Sequence, residues 1–271
     1  MATEVMISQP APAFGRRYAP PYAAFTLVGL VALWQLASYL FAIPTYLLPP
    51  PSAILADMVS RWHVLLANSW ITIFEIVFGF IISVLIGLPL AICVTYSRAL
   101  DRAIYPLIVG SQTIPKVAIA PLLAAWFGFG IAPKITIVAL VAFFPIVVSS
   151  VVGLRSTTPQ MLHLARSMGA SPLQMFWRFR LPHALPSVFA GMKMATVLAV
   201  IGAVVAEFVG ADSGLGYLIV VAGADFQIER QFSAILVLSL VGMLFFWLAG
   251  WVERRLLPWH ISVRASEGGN S

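Results

Sequence analysis

Long apolar runs alternate along this chain with short polar breaks, and most runs have the length that a lipid bilayer demands of a helix, about 20 residues. Residues 1–21 form a polar tail that includes Arg16 and Arg17, and residues 22–43 are the first predicted span. A cleaved signal peptide is the competing reading. The run is too long and starts too late for one, and no small-residue pair precedes Pro44, so a retained helix is expected. Residues 44–68 form a connector: Leu47-Leu48-Pro49-Pro50-Pro51-Ser52 is stiff and extended, and an amphipathic piece follows from Ala53 to about Leu66. A second span runs from Ser69 to Tyr96. From Ile104 to Phe127 the apolar pattern is interrupted by Gln112, Pro115 and Lys116, which predicts one broken span ended by the Gly128-Phe129-Gly130 turn. Ile135 to Leu154 is a clean fourth span, Ser187 to Gly210 a fifth, and Phe232 to Val252 a sixth that ends at Glu253-Arg254-Arg255. Between the last two, the apolar patch Gly216 to Gly223 is too short to cross. The expected fold is therefore an all-α integral membrane protein of six transmembrane helices. Residues 69–253 form a five-helix core, and 254–271 a C-terminal tail.

One polar island, within the loop 155–186, has an internal order of its own. Thr158 is a good N-cap with Pro159 at the first helical position, and Met161, Leu164, Ala165 and Met168 recur at helical spacing until Gly169 ends the turn. A second start follows Ala170: Ser171 caps, Pro172 takes the first helical position, and Gln174 completes the spacing of a capping box. Leu181-Pro182 and Leu185-Pro186 are expected to stop this second helix. Such an amphipathic pair fits either the lipid surface or a partner's groove.

Composition fixes the class and charge fixes the orientation. Of 271 residues, 61% are hydrophobic and only 10% charged, with a mean hydropathy of +0.95, where a soluble domain carries about 25% charged residues. The net charge of +6 arises from 16 basic against 10 acidic residues. In a six-span arrangement, Arg16, Arg17, Arg98, Arg102, Arg155, Arg166, Arg178, Arg180, Arg254, Arg255 and Arg264 share one side, whereas only Arg61, Lys134 and Arg230 lie on the other. The positive-inside rule then places both termini and the polar island in the cytoplasm and the 44–68 connector outside. The excess charge is a topology signal, and no nucleic-acid partner is expected. Cys93, the single cysteine, sits in an apolar run and forms neither an intrachain disulfide nor a metal cluster.

Residues 163–182, HLARSMGASPLQMFWRFRLP, resemble the cytoplasmic signature of binding-protein-dependent ABC importer permeases: Glu-Ala-Ala, three residues, Gly, nine residues, Ile, any residue, Leu-Pro. Ala165, Gly169, Leu181 and Pro182 match in register, while His163 replaces the Glu, Leu164 the first Ala, and Phe179 the Ile. The segments LPPPSAI from Leu48, IPKVAIAPLLAAWFGFG at 114–130, FFPIV at 143–147 and AVVAEFVGADSGLGYLI at 203–219 are similar to the nitrate, sulfonate and taurine branch. The resemblance implies a type I importer fold in a bacterial inner membrane. It also implies two permease copies, expected to form a homodimer, a cytoplasmic pair of ATPase subunits that bind ATP and Mg, and an extracytoplasmic binding protein. The polar island would then be the coupling element seated in the ATPase. Met161, Leu164 and Met168 would form its docking stripe, Ala165 would allow close approach, and Gly169, with Ala170 and Ser171, would form the turn. His163 means that the contact does not depend on a carboxylate there.

Charged residues inside spans are costly and are functional candidates by default. Glu75 and Lys193 lie near predicted span ends, where reaching the headgroups suffices. Lys116, with Gln112 in the same broken span, and Glu207, late in the fifth, are the candidates for lining a pathway. His63, His183 and His260 lack metal-binding neighbours at ligand spacing. The chain has no Gly-x-x-x-x-Gly-Lys-Ser/Thr loop, so no cofactor is expected on it, and ATP hydrolysis must lie on another subunit. It also has neither Gly-x-Ser-x-Gly nor His-Glu-x-x-His, which disfavours an intramembrane hydrolase, and it has no charge-lined span of the kind a passive channel or ion-coupled carrier uses. Within the importer class, a small anionic or organic solute of the sulfonate, nitrate or taurine kind is expected. A vitamin precursor such as a pyrimidine or flavin is the alternative.

Overall fold

In the computed structural model, which describes residues 22–258, the described chain is helices joined by short turns, with no strand among them. Helix α1 covers Tyr22–Leu40, α2 Pro51–Ser60, α3 Trp62–Tyr96, α4 Arg98–Ala103, α5 Tyr105–Gly110, α6 Ala120–Phe127 and α7 Ile131–Arg155. The chain continues through α8, Pro159–Ser167, α9, Pro172–Met175, α10, Leu181–Phe208, α11, Leu215–Ala224, and α12, Ile228–Leu256. The expected N-terminal tail, with Arg16 and Arg17, and residues 259–271, with His260 and Arg264, lie outside the described residues, while 254–256, expected to open the C-terminal tail, continue α12.

Helix α7 is the centre: α3 packs along one side of it and α10 along the other. Apolar helices gain nothing from excluding water inside lipid, so close backbone approach must hold them together. The sequence supplies it with small residues. A Cβ on Gly79 of α3 would overlap the side chain of Val138 on α7, and one on Gly191 of α10 would meet the Pro145 carbonyl oxygen of α7 at 2.7 Å. Ser83 of α3 adds a hydrogen bond from its hydroxyl to the Ala139 carbonyl of α7 at 2.7 Å. Ile76, Val138, Ala142, Ile146, Ala195, Ala199 and Ala203 fill the space between the three helices.

Four helical stretches are long and apolar enough to cross a membrane, and the bent pair around Pro115 makes a fifth if it is one span. Helix α1, the remaining predicted span, has 19 residues, a length of about 29 Å. The bent pair, residues 98–113 and 116–127, turns by 89° at its break. Pro115 removes a backbone donor there, and the chain takes two short tight turns in place of α-helix, at Ser111–Thr113 and Lys116–Ile119.

Two boundaries differ from expectation. The second span starts at Trp62 rather than Ser69, so the connector is shorter than 44–68 and contains α2. The polar residues that had marked its end are accommodated inside the helix: Asn68 Nδ2 donates to the Val64 carbonyl and Ser69 Oγ to the Leu65 carbonyl. The expected stop at Leu181-Pro182 and Leu185-Pro186 is also absent, and residues 172–208 form one continuous apolar helix of 37 residues. A wide π-type turn at Phe176–Arg180, closed by the Leu181 N–H on the Phe176 carbonyl, leads into Pro182. The altered register absorbs the missing proline donor at the first turn of α10.

Candidate functional site

The polar island forms a short helical hairpin at the end of the bundle where α3 and α7 finish. Gly169 has φ +77°, the left-handed conformation that closes a helix, and the Ala170 N–H returns to the Ala165 carbonyl at 3.0 Å. Ser171 makes the predicted capping box: Gln174 N–H donates to Ser171 Oγ at 3.3 Å, and Ser171 N–H donates to Gln174 Oε1 at 2.9 Å. Thr158 is the N-cap residue of α8, but its side chain makes no capping bond. On α8 the apolar stripe splits in two. Ala165 is buried against its own chain, whereas Met161, Leu164 and Met168 are 41%, 62% and 76% exposed. His163, Gly169 and Ser171 are exposed beside them, while Ala170, Leu181 and Pro182 are half-buried. The base of the hairpin is clamped to the bundle. Arg180 stacks over Tyr96 at 5.0 Å, Tyr96 packs edge-on against Phe176, and Arg155 pairs with Asp101. Rigid below and apolar above, the hairpin can present its stripe to a partner without reorganising.

The residues predicted for a pathway do not gather into one place. Gln112 is exposed on the first turn of the bend, and Lys116 is half-buried on the second, with its ammonium 4.2 Å from the centre of the Phe144 ring on α7. Glu207 belongs elsewhere. It is 2% exposed and turned into its own chain, where its Oε1 accepts from the Thr72 hydroxyl at 2.7 Å and its Oε2 accepts from the Gly216 N–H. Glu75, which was expected to reach the headgroups, has no exposure at all and lies 3.1 Å from the Lys134 ammonium. Lys134, counted among the outward loop charges, is itself buried in the first turn of α7 and also donates to the Ser213 carbonyl at 3.4 Å. Lys193 pairs with Glu253 of α12 rather than reaching headgroups. The sequence reading missed Asn68, Thr72 and Lys134 as members of a polar cluster. Spacing offered a signal, because Asn68, Thr72 and Glu75 fall on one face of α3.

A bundle of long apolar helices with an 89° broken span and a clamped hairpin at one end fits a multi-pass membrane protein. Residues 79–258 match the family described as binding-protein-dependent transport system inner membrane component, and the chain belongs to that family. It is 38% identical over 231 residues to the formylaminopyrimidine transport permease protein ThiX of Halalkalibacterium halodurans, covering 85% of this chain and 92% of that one. It is 36% identical to a probable ABC transporter permease protein of Haemophilus influenzae, covering 84% and 93%. Relatives at lower identity include the riboflavin permease RibX of Chloroflexus aurantiacus, at 34%, and the taurine permease TauC of Escherichia coli, at 28%. The fold is that of a chain of the MetNI methionine ABC transporter in an inward-facing conformation, with a TM-score of 0.63 at 20% identity over 72% of this chain and 96% of that one. The protein is thus an ABC transporter permease, an inner-membrane component of a binding-protein-dependent transport system related to sulfonate and taurine permeases.

Proposed function

We propose that this chain forms the transmembrane pathway of an ATP-driven importer of a small organic solute, with both termini and the α8–α9 hairpin in the cytoplasm. Its partners in this reading are a pair of separate ATPase subunits docked on α8, a binding protein on the opposite face, and a second copy of the chain. The observation that carries the reading is the stripe of Met161, Leu164 and Met168, exposed on a helix whose base is fixed by Gly169 and by Arg180 on Tyr96. An apolar stripe at spacings of three and four is how an amphipathic helix fills a partner's groove. The eleven of sixteen basic residues that the six-span arrangement assigns to the side of the hairpin support its cytoplasmic placement. For the solute, Lys116 over Phe144 supports an anionic or electron-rich group. The relatives named for pyrimidine, riboflavin and taurine transport support a small organic molecule.

Replacing Leu164 and Met168 together by Glu tests the docking. Both side chains are exposed, so the fold should persist. Co-purification of the ATPase encoded with this permease is expected to fall at least tenfold. Full retention of the ATPase by the double variant would show that α8 is not the docking surface.

A further inference from the structure

Helix α11 receives its N-terminal cap from other helices. Gly214 precedes it and offers no side chain, yet three successive amides are all satisfied: Gly214 N–H donates to Asn68 Oδ1 at 2.8 Å, Leu215 N–H to Thr72 Oγ1 at 2.9 Å, and Gly216 N–H to Glu207 Oε2. The Thr72 hydroxyl then donates to Glu207 Oε1, so one α3 side chain and one α10 side chain are joined at the same point. The fit leaves no slack. A Cβ on Gly216 would come within 2.7 Å of the Glu207 carboxylate, and Gly214 takes φ +115° to bring its amide round to Asn68. Below them Lys134 of α7 holds Glu75 of α3 and the carbonyl of Ser213, the residue before Gly214.

The N-terminal end of α11 is therefore held by α3 and α10 together, while Leu218 and Ile219 farther along pack on Ala234 of α12 and Leu65 of α3. Helix α10 is also the element that leaves the α8–α9 hairpin without a break, as part of the single helix of residues 172–208, about 55 Å long. A displacement of the hairpin is carried toward Glu207 along this continuous helix, through the π-type turn at 176–180 and past Pro186.

We propose that Thr72 and Glu207 are positioning residues for transport: they lock α11 in place while α3 and α10 are together, and free it when α10 is drawn away. The inference rests on the docking reading above for the source of that displacement. Hydrogen bonds suit such a lock because they are directional and fail over a short displacement, whereas apolar contacts slide.

The test uses the full transporter in lipid nanodiscs, assembled from one unlabelled, cysteine-free permease copy and one copy in which the exposed Cys93 is replaced by Ser and spin labels are placed on cysteines at Leu66 of α3 and Ala224 of α11, both exposed. Double electron–electron resonance should give one narrow distance that shifts on addition of ATP and orthovanadate. In Thr72→Val the distance should be broad without nucleotide and the shift lost. Thr72→Ser should restore both, which separates the hydroxyl from mere packing. Asn68→Ala, which removes one of the three amide acceptors, should give intermediate broadening and provides the reading if Thr72→Val does not fold. A narrow, shifting distance in Thr72→Val overturns the proposal, as does failure of Thr72→Ser to restore it. The docking reading is judged separately: ATPase retention by the Leu164/Met168 double variant would remove the source of the displacement and leave the lock itself intact.

Discussion

Lys134→Met should cost about 3–5 kcal/mol of stability, the penalty for stripping a buried ion pair of one partner. Lys134 is 6% exposed, Glu75 is fully buried 3.1 Å from its ammonium, and neither Glu75 oxygen has a directed hydrogen-bond donor of its own. The second buried carboxylate of the cluster, Glu207, is satisfied by Thr72 and Gly216, so Glu75 alone is stranded when the lysine goes. Thermal unfolding of the detergent-solubilised protein, followed by the loss of the monodisperse peak in size-exclusion chromatography, measures the effect. The double variant Lys134→Met with Glu75→Leu should recover most of the loss, because an apolar pair of similar volume removes the uncompensated charge as well as the attraction. A single variant that unfolds at the parent temperature would mean that the pair does not hold α3 and α7 together.

The second large effect concerns the backbone of the hairpin. Gly169→Val should reduce ATPase co-purification roughly 5- to 30-fold, whereas Gly169→Asn should keep most of it. At φ +77° a β-branched residue is strained by about 1–2 kcal/mol, but asparagine visits that conformation readily. Crowding is not the cause, because a Cβ at residue 169 would meet nothing within 4 Å. The difference between Val and Asn therefore isolates conformation. A valine variant that binds ATPase as the parent does would show that the sharp turn after α8 is dispensable for docking.

These two sites differ in how far the sequence disclosed them. The hairpin was legible almost residue by residue, because caps, prolines and a turn glycine act on their immediate neighbours. Ser171 with Gln174 and Gly169 behave as their spacing predicted. Its exit was not legible, since Pro182 and Pro186 read locally as breakers, yet Pro182 follows a π-type turn that leaves no signature in composition and Pro186 is carried inside α10. The apolar spans were legible as elements, but not in their pairing. Lys134 sat close to a predicted span end, and counting loop charges treats every such lysine as facing water. What buries it is Glu75 on another helix. The bond between Thr72 and Glu207 likewise joins residues 135 positions apart, a contact that no local pattern could supply.

If the proposed function holds, the α8 stripe is where a separate ATPase engages this permease. Photo-crosslinking from p-benzoylphenylalanine at Met168, 76% exposed at the tip of the hairpin, tests it most directly, with the same group at the exposed Trp70 on α3 near the opposite end as the control. Met168 should give a covalent adduct with the mass of permease plus ATPase, and Trp70 none. An adduct with lipid alone from Met168, or equal ATPase adducts from both positions, would contradict it.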